Sequence, residues 1–309
     1  MKDEYVNMLF NKYKNIVDKI AKDNNYDDNI KHLLWLIMTS FVLKYGIKNE
    51  STILKCFRET IIIKKAINEK NVYAFFNRII LHNNDFCTKK YIVINSDVYQ
   101  NYIVYFDTII HEFNHAINSM LNELKLKNNE IYLRTGLSYS VYEYDKYYNI
   151  TEKCKTDEYL FEEVINTYQS QEIINLVLQL NNMKIEDVEI ATFINAISKE
   201  LNNNKYSSLA YSLQMHMCRD LLSNRTFVST LENLRFSGDV DNIEKWFDNI
   251  LGAEGKYKEL NSLLILSFNL SKKYSSSTFF KKRFSNKIKS CILKVESIVR
   301  EFNKNCVYT

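Results

Sequence analysis

Apolar residues recur at helical spacing along most of this 309-residue chain. Between residues 5 and 21, one face of a helix collects Met8, Leu9, Tyr13, Ile16, Val17 and Ile20. The same period predicts further helices at 28–45, 51–68, 102–126, 157–180, 185–201, 207–222, 240–251, 254–270 and 278–302. Ser51 is the expected N-cap of the third helix. The pattern is typical of a predominantly helical protein.

Two stretches interrupt the helical period. Residues 90–99 (KYIVINSDVY) have the β-branched and aromatic character of a strand. Residues 128–156 are rich in Tyr and Asn and contain Gly136, which indicates loop with a short hairpin. We therefore predict an α+β fold, mainly helical, with a small sheet beside the helix that begins at residue 102. Three regions are expected: an N-terminal helical region (1–85), a core (86–183) and a C-terminal helical region packed on that core (184–309).

Composition narrows the class of protein. With 46% hydrophobic and 25% charged residues the chain is globular. Lys and Arg total 41 against 37 acids, which gives a net charge of +4, and this near balance predicts no nucleic-acid partner. The N-terminus lacks the apolar core of a signal peptide, and the longest nearly apolar run (33–43) is too short to cross a bilayer. We expect a cytoplasmic protein without a membrane partner; export by a non-classical route and the oligomeric state stay open.

The chemistry concentrates in the segment His111-Glu112-Phe113-Asn114-His115, which matches HExxH. On a helix, residues i and i+4 share a face, so both imidazoles can reach one ion, with the glutamate beside them as a general base. An apolar stripe occupies the opposite face: Phe106, Ile110, Phe113, Ile117 and Leu121. The six cysteines form no CxxC pair, so a metal site must use His, Asp or Glu. The motif predicts a Zn²⁺ site with His111 and His115 as ligands and Glu112 as the catalytic base.

A catalytic zinc needs a third protein ligand. The metzincin extension HExxHxxGxxH is absent, because Asn118 and Leu121 stand where its Gly and His would be. A predicted helix further along begins DEYLFEEVINTYQ, with Glu162 and Glu163 in its first turns. HEFNH followed by this segment resembles the gluzincin zinc metallopeptidases, the clan of thermolysin and neprilysin. The resemblance covers residues 90–174 and implies a zincin-like core with Glu163 as the third ligand; Glu162 stays an alternative.

One position departs from the gluzincin pattern. Thr167 stands where the resemblance implies an acid that orients a zinc-binding histidine. Its hydroxyl can accept the same hydrogen bond but supplies no charge. Another acid would then be needed, and the candidates are Glu143, Asp145 and Glu158.

The resemblance implies a zinc-dependent peptidase that acts on a peptide or protein substrate. His216 and Tyr159 are candidate catalytic residues that would stabilise the oxyanion, and Arg134 is a candidate for orienting the substrate, although an exposed loop arginine is its plainer interpretation. Two other classes remain open. The chain can be a catalytically inactive zincin-like binding or regulatory protein, or a helical scaffold in which HEFNH is accidental. A zinc deaminase is excluded, because it would need a PCxxC segment.

Overall fold

A computed structural model of the chain describes residues 2–67, 72–83, 85–96, 102–121, 123–156, 160–203, 211–238, 241–277 and 281–306. Within these ranges the chain forms 12 α-helices, a turn of 3-10 helix and seven strands in two sheets. The predicted α+β, predominantly helical class is confirmed at this level.

The residues cluster into two compact units. One unit is Met1–Met120 with Gln169–Ser208, and the other is Leu121–Tyr168 with Leu209–Thr309. Helix α5, Leu160–Leu180, begins in the second unit and ends in the first. The three regions expected from the sequence stay a prediction.

Helices and a mixed sheet build the first unit. Its elements are α1 Asp3–Asp23, α2 Asp28–Tyr45, the 3-10 turn Ile47–Asn49, α3 Glu50–Glu59, β1 Thr60–Lys65, β2 Ala74–Asn83, β3 Asp85–Asn95, α4 Tyr102–Asn118, the end of α5, and α6 Val188–Asn203. The central strand β3 runs parallel to β1 and antiparallel to β2, so β2 is an edge strand. Helix α4 packs on β2 and β3, which puts the predicted sheet beside the motif helix.

Two helix predictions in this unit are wrong at their C-terminal ends. The helix expected at 51–68 ends at Glu59, and its N-cap is Asn49 rather than Ser51. Thr60 then opens β1, where the run of β-branched residues TIII pairs with β3 from Thr60↔Lys90 onward. The helix expected at 102–126 ends at Asn118, and the chain continues into a strand. By contrast, the helix predicted at 28–45 is confirmed at both ends, and Asp27 caps it by accepting the N–H of Ile30 at 2.9 Å.

The second unit contains an antiparallel meander, of which only a short hairpin was predicted from the sequence. Strands β4 Leu124–Lys127, β5 Glu130–Thr135, β6 Ser138–Tyr144 and β7 Ile150–Thr156 pair in chain order, where mostly loop was expected. Asn128 and Asn129 join β4 to β5 with φ of 52° and 62°. Two successive positive φ values are those of a type I′ hairpin turn, which Asn tolerates. The Asn pair was therefore the signal for the first hairpin.

Helices complete the second unit: α7 Ser212–Met217, α8 Arg219–Leu222, α9 Arg225–Ser237, α10 Asp241–Leu251, α11 Lys256–Ser276 and α12 Lys281–Cys306. The single helix expected at 207–222 is broken at Cys218, and α9 was not predicted. Asn224 caps α9 by accepting the N–H of Phe227 at 3.1 Å, and Gly238 ends it at φ 75°. Aromatic side chains such as Phe227, Phe247 and Phe302 fill the core.

Within the described residues, no single helix is long and apolar enough to cross a membrane. The helical segments Asp28–Tyr45 and Ile47–Glu59 together have the length and apolar composition of a membrane span, but the chain bends by 116° between them.

Candidate metal centre

Helix α4 holds the HEFNH segment by burying the opposite face. Ile110, Phe113 and Ile117 are at most 2% exposed, and the Phe113 ring stacks on Phe57 with centroids 4.3 Å apart. The predicted segregation of apolar and polar stripes is therefore what fixes the rotation of α4. With Phe113 in the core, His111 and His115 must lie on another face.

Asn114, the fourth residue of the motif, ties α4 to two other helices. It is fully buried, its side-chain oxygen accepts the Tyr45 hydroxyl at 2.6 Å, and its amide donates to the Ser170 hydroxyl on α5 at 3.3 Å. Glu163 precedes Ser170 by seven residues, about two helical turns, and so shares its face of α5. The contact between Asn114 and Ser170 therefore turns the face of α5 that carries Glu163 toward α4.

Three possible metal ligands come together. The ligand atoms of His111, His115 and Glu163 all lie within 4.8 Å of one another. The two Nε2 atoms are 3.2 Å apart, and the ring centroids are 4.9 Å apart. In a tetrahedral site with Zn–N distances of about 2.0–2.1 Å, two nitrogen ligands are separated by about 3.3 Å. His115 is buried, and the other two are half-buried, so the cluster keeps access to solvent.

Glu112 lies next to this cluster and is 7% exposed. Its Oε2 accepts the backbone N–H of Phe76 at 2.7 Å. Phe76 belongs to the edge strand β2. Its N–H is bonded to Glu112, so it points to α4 and not to β3. One carboxylate oxygen of Glu112 is thus fixed by the sheet, and this limits where the carboxylate can reach.

The neighbouring Glu162 belongs to a different, closed cluster. Its Oε1 is 2.5 Å from Arg235 Nη2, and its Oε2 accepts the N–H of Leu137 at 3.0 Å. Asn166 joins the same cluster, donating to Glu162 at 3.1 Å and accepting from Arg235 at 2.5 Å. Both ions of the pair are almost completely buried. Of the two glutamates that the sequence left open, Glu163 is the one near the histidines, whereas Glu162 neutralises Arg235.

Thr167 does not take the role of the missing acid. Its hydroxyl donates to the carbonyl oxygen of Glu163 at 2.8 Å, which is a bond within the helix. Asp145 accepts bonds from Asn149 and Tyr147 in the β6–β7 turn, and these bonds, first of all the Asn149 side chain, lower its pKa. Glu143 is exposed on β6. Glu158 lies outside the described residues, so no described candidate replaces the acid.

The other candidate site residues are Arg134, His216 and Tyr159, and the structure places the first two in different surroundings. Arg134 was expected to be an exposed loop residue, and this is wrong: it lies on β5, is fully buried, and donates to the carbonyl oxygens of Gly136 and Leu121. It therefore supports the fold of the meander. His216 is exposed on the short helix α7, and it is not part of the His111, His115 and Glu163 cluster. Tyr159 lies outside the described residues.

Two contacts near the centre were missed by the sequence analysis. Arg235 lies 73 positions from Glu162, and nothing in the segment LENLRFSG distinguishes it from a surface arginine. The N–H of Phe76 belongs to a strand that the helical period did not predict. A run of alternating exposed and half-buried residues from Ala74 to Ile80 marks that strand in the structure.

Comparison of the chain with protein-family models, with curated proteins and with solved structures gave no match. The gluzincin resemblance therefore depends on the residues of this chain alone, namely HEFNH and the first turns of α5. It stays a prediction.

Proposed function

We propose that this chain is a zinc-dependent metallopeptidase with a zincin-like core that hydrolyses a peptide or protein substrate. The observation that carries the proposal is the approach of His111, His115 and Glu163, whose ligand atoms lie within 4.8 Å of one another. Two imidazoles and one carboxylate make up the donor set of the thermolysin-type catalytic site, which leaves a fourth position for water or substrate.

The residues present fit zinc better than the harder cations. Imidazole nitrogens suit zinc and other late transition metals, whereas Mg²⁺ and Ca²⁺ prefer all-oxygen sites. The separation of 3.2 Å between the two Nε2 atoms is close to the spacing that tetrahedral zinc requires. Three protein ligands among the residues that the structure describes support a catalytic site rather than a closed structural one.

The residues around the donors have distinct roles in this proposal. When bound, zinc would polarise the scissile carbonyl and lower the pKa of the attacking water. Glu112 takes the proton from that water and passes it to the leaving amine. The Phe76 N–H holds one oxygen of Glu112 and so orients the base. His216 and Tyr159 stay the candidates for a donor to the oxyanion.

The edge strand β2 supports a peptide as the substrate. An edge strand exposes backbone N–H and C=O groups that can pair with an extended peptide. Because Phe76 on this strand is bonded to Glu112, a peptide placed along β2 would bring its backbone next to the proposed general base.

Zinc content tests the centre first. Protein purified without chelators or a histidine tag should contain about one zinc per chain by elemental analysis. His111→Ala should lose the metal, whereas His216→Ala, which removes an exposed histidine outside the cluster, should retain it. A wild-type chain that neither contains zinc nor takes it up would refute the proposed centre.

The third ligand is tested by a matched pair of glutamate variants. Glu163→Gln should lower the zinc affinity by at least about 100-fold, since even the loss of an outer partner of a ligand costs 10–100-fold. Glu143→Gln, an exposed glutamate on β6, should leave the affinity unchanged. Equal affinities of these two variants would remove Glu163 from the ligand set.

Peptidase activity separates the enzyme from the second candidate function, an inactive zincin-like binding or regulatory protein. The observation that favours the binding protein is Thr167, whose hydroxyl is bound to the Glu163 carbonyl and supplies no charge. In a peptide library, Glu112→Gln should abolish cleavage while zinc is retained, because it removes only the general base. No cleavage by the wild-type zinc protein would favour the binding protein.

A further inference from the structure

Charge is distributed unevenly near the C-terminus. Residues 271–295 contain no acidic side chain and eight basic ones, which we call the basic tip: Lys272, Lys273, Lys281, Lys282, Arg283, Lys287, Lys289 and Lys294. The net charge of the whole chain is +4, so the rest of the chain carries 4 − 8 = −4. The near balance of the whole composition therefore conceals one strongly positive segment.

The fold places these charges along the half of a helical hairpin that adjoins its turn. Helices α11 and α12 pack against each other, and the first ends at Ser276 while the second begins at Lys281. Across the turn, Lys281 Nζ lies 5.7 Å from the centre of the Tyr274 ring. All eight basic side chains are exposed to solvent.

At the other end of the same hairpin, lysines form salt bridges with glutamates. There Lys256 pairs with Glu259 at 2.7 Å, and Lys258 pairs with Glu244 at 2.8 Å. Among the residues that the structure describes, no salt bridge involves a member of the basic tip. Mutual repulsion of eight cations, two in the last turn and a half of α11 and six in the first four turns of α12, destabilises the folded state unless an external anion compensates it.

The basic residues of α12 fall in two rows. Cys291, Val295 and Ile298 point into the core, so the outer side of the helix faces solvent. At about 100° per residue, Arg283, Lys287 and Lys294 lie along one flank of that outer side, and Lys282 and Lys289 lie along the other. The strip between the rows is uncharged and contains Asn286, Ser290 and Leu293, which is 62% exposed.

We propose that the basic tip is a binding site for a nucleic-acid duplex, held through the phosphates of both strands. A helix with its side chains is about 10–12 Å across, and the major groove of duplex DNA is about 12 Å wide. A helix in this groove meets a phosphate strand on each side, which matches the two basic rows, while the neutral strip faces the base edges. The preponderance of lysine, a mobile point charge, fits binding to phosphates without a strong sequence preference.

A membrane surface fits the same residues less well. Helices that bind in the bilayer interface insert an apolar face, and the apolar face of α12 is buried in the protein core. A flat anionic surface would also meet the neutral strip first. The proposal runs against the expectation from net charge that nucleic acid is no partner, and it does not depend on the peptidase.

The test is fluorescence anisotropy of a labelled mixed-sequence DNA duplex, measured with the full chain at several salt concentrations. If all five residues of the two rows contact phosphates, log K should fall with log[salt] with a slope of about −4.5. Changing four lysines to glutamine (Lys282, Lys287, Lys289 and Lys294) should weaken binding at low salt by at least about 100-fold and reduce the slope to about −0.9.

The control removes the same amount of charge elsewhere. Lys19, Lys22, Lys127 and Lys146 are also exposed, and changing these four to glutamine should alter duplex affinity less than about threefold. Equal losses in the two variants, no duplex binding by the wild type, or binding to phosphatidylserine vesicles in place of duplex would overturn the proposal. If the quadruple variant does not fold, as judged by circular dichroism, Lys282→Gln with Lys294→Gln should still reduce the slope by about 1.8.

Discussion

Helix α5 begins with two neighbouring glutamates whose surroundings differ. Glu162 is buried with Arg235, and its partners in the protein include Arg235, Asn166 and the N–H of Leu137. Glu163 is half-buried and approaches two imidazoles whose nitrogens face one another at 3.2 Å. The first cluster contains its own cation. The second consists of groups that can coordinate a metal cation.

In our proposal the first cluster is a structural polar cluster and the second binds a metal ion. A buried ion pair is tolerated when each charge is compensated inside the fold, and removing one partner is then strongly destabilising. Two imidazoles and a carboxylate that converge on a common point can instead coordinate one metal ion. We therefore expect substitutions in the Glu162 cluster to act on stability, and substitutions in the Glu163 cluster to act on metal binding.

The largest effect should come from Arg235→Met. It leaves Glu162 buried without its cation, and the free energy of unfolding should fall by about 3–5 kcal/mol. Urea unfolding monitored by circular dichroism measures it. Adding Glu162→Gln to this variant should recover more than about 1 kcal/mol, because the buried charge is then removed. A loss below about 1 kcal/mol for Arg235→Met would mean that the closed cluster is not what stabilises this part of the fold.

Gly136→Ala should have the next largest effect. Gly136 has φ of 55°, and an added Cβ would lie 1.9 Å from Glu162 Oε1. Strain in the left-handed region and the clash together should cost about 2–4 kcal/mol. Gly252→Ala is the matched control, since Gly252 has φ of 62° but no atom within 4 Å of its added Cβ, so only about 1 kcal/mol should be lost. Equal losses would show that backbone strain, not Glu162, restricts position 136.

Zinc addition should distinguish the second cluster from the first. At a free zinc concentration about 100 times the Kd, the wild type should gain about 2.7 kcal/mol of stability, and EDTA should remove that gain. His111→Ala should gain nothing. Thermal unfolding with and without zinc measures both. A zinc-dependent gain of the same size in His111→Ala would place the metal elsewhere.

The smallest effect should come from a partly exposed ion pair, Lys14 with Asp187. Its loss of stability can be compared with that of the buried pair of Arg235 and Glu162. Asp187 caps α6 by accepting the N–H groups of Glu189 and Ile190, and Lys14 Nζ is 2.6 Å away. Burial raises the pKa of Asp187, but Lys14 and the two N–H groups lower it by more, so its net pKa is lowered.

A carboxylate with a lowered pKa stabilises the fold above its unfolded pKa, and the stabilisation is lost as pH falls through the folded pKa. Asp187→Asn, which keeps the cap acceptor, should therefore lose about 0.5–1 kcal/mol near neutral pH and almost nothing below about pH 2. Unfolding curves at the two pH values measure this. Asp220→Asn, at an exposed pair with Arg219, should change neither curve, and a loss independent of pH for Asp187→Asn would contradict the assignment.

Elements with strong local signals were predictable. Helix 28–45 has its cap, Asp27, and a dense apolar pattern in the sequence, and its bounds agree with the structure. The polar and apolar stripes of HEFNH likewise agree with the burial of Phe113 and Ile117. Strand β1 was hidden because Thr60–Lys65 continues a helix in sequence, and only pairing with β3 makes the extended conformation favourable. The meander was missed because apolar and polar residues alternate only weakly along its strands. Each strand is stabilised by pairing with the next strand of the chain, which the pattern within one strand does not show.

The sequence by itself determined the helical class, the rotation of α4, and the candidates for zinc ligands and general base in HEFNH. These features depend on periodicity and spacing within a few turns, which one segment contains in full. Only the tertiary structure decided which of two adjacent glutamates approaches the histidines, and that Arg134 is buried. Glu162 is neutralised by Arg235, which is 73 positions away in the sequence. Arg134 is bonded to the carbonyl oxygen of Leu121, which only the folding of the meander brings close to it. The residues around Glu162 and Glu163 do not indicate which of the two carboxylates Arg235 neutralises, because Arg235 comes close only in the folded chain.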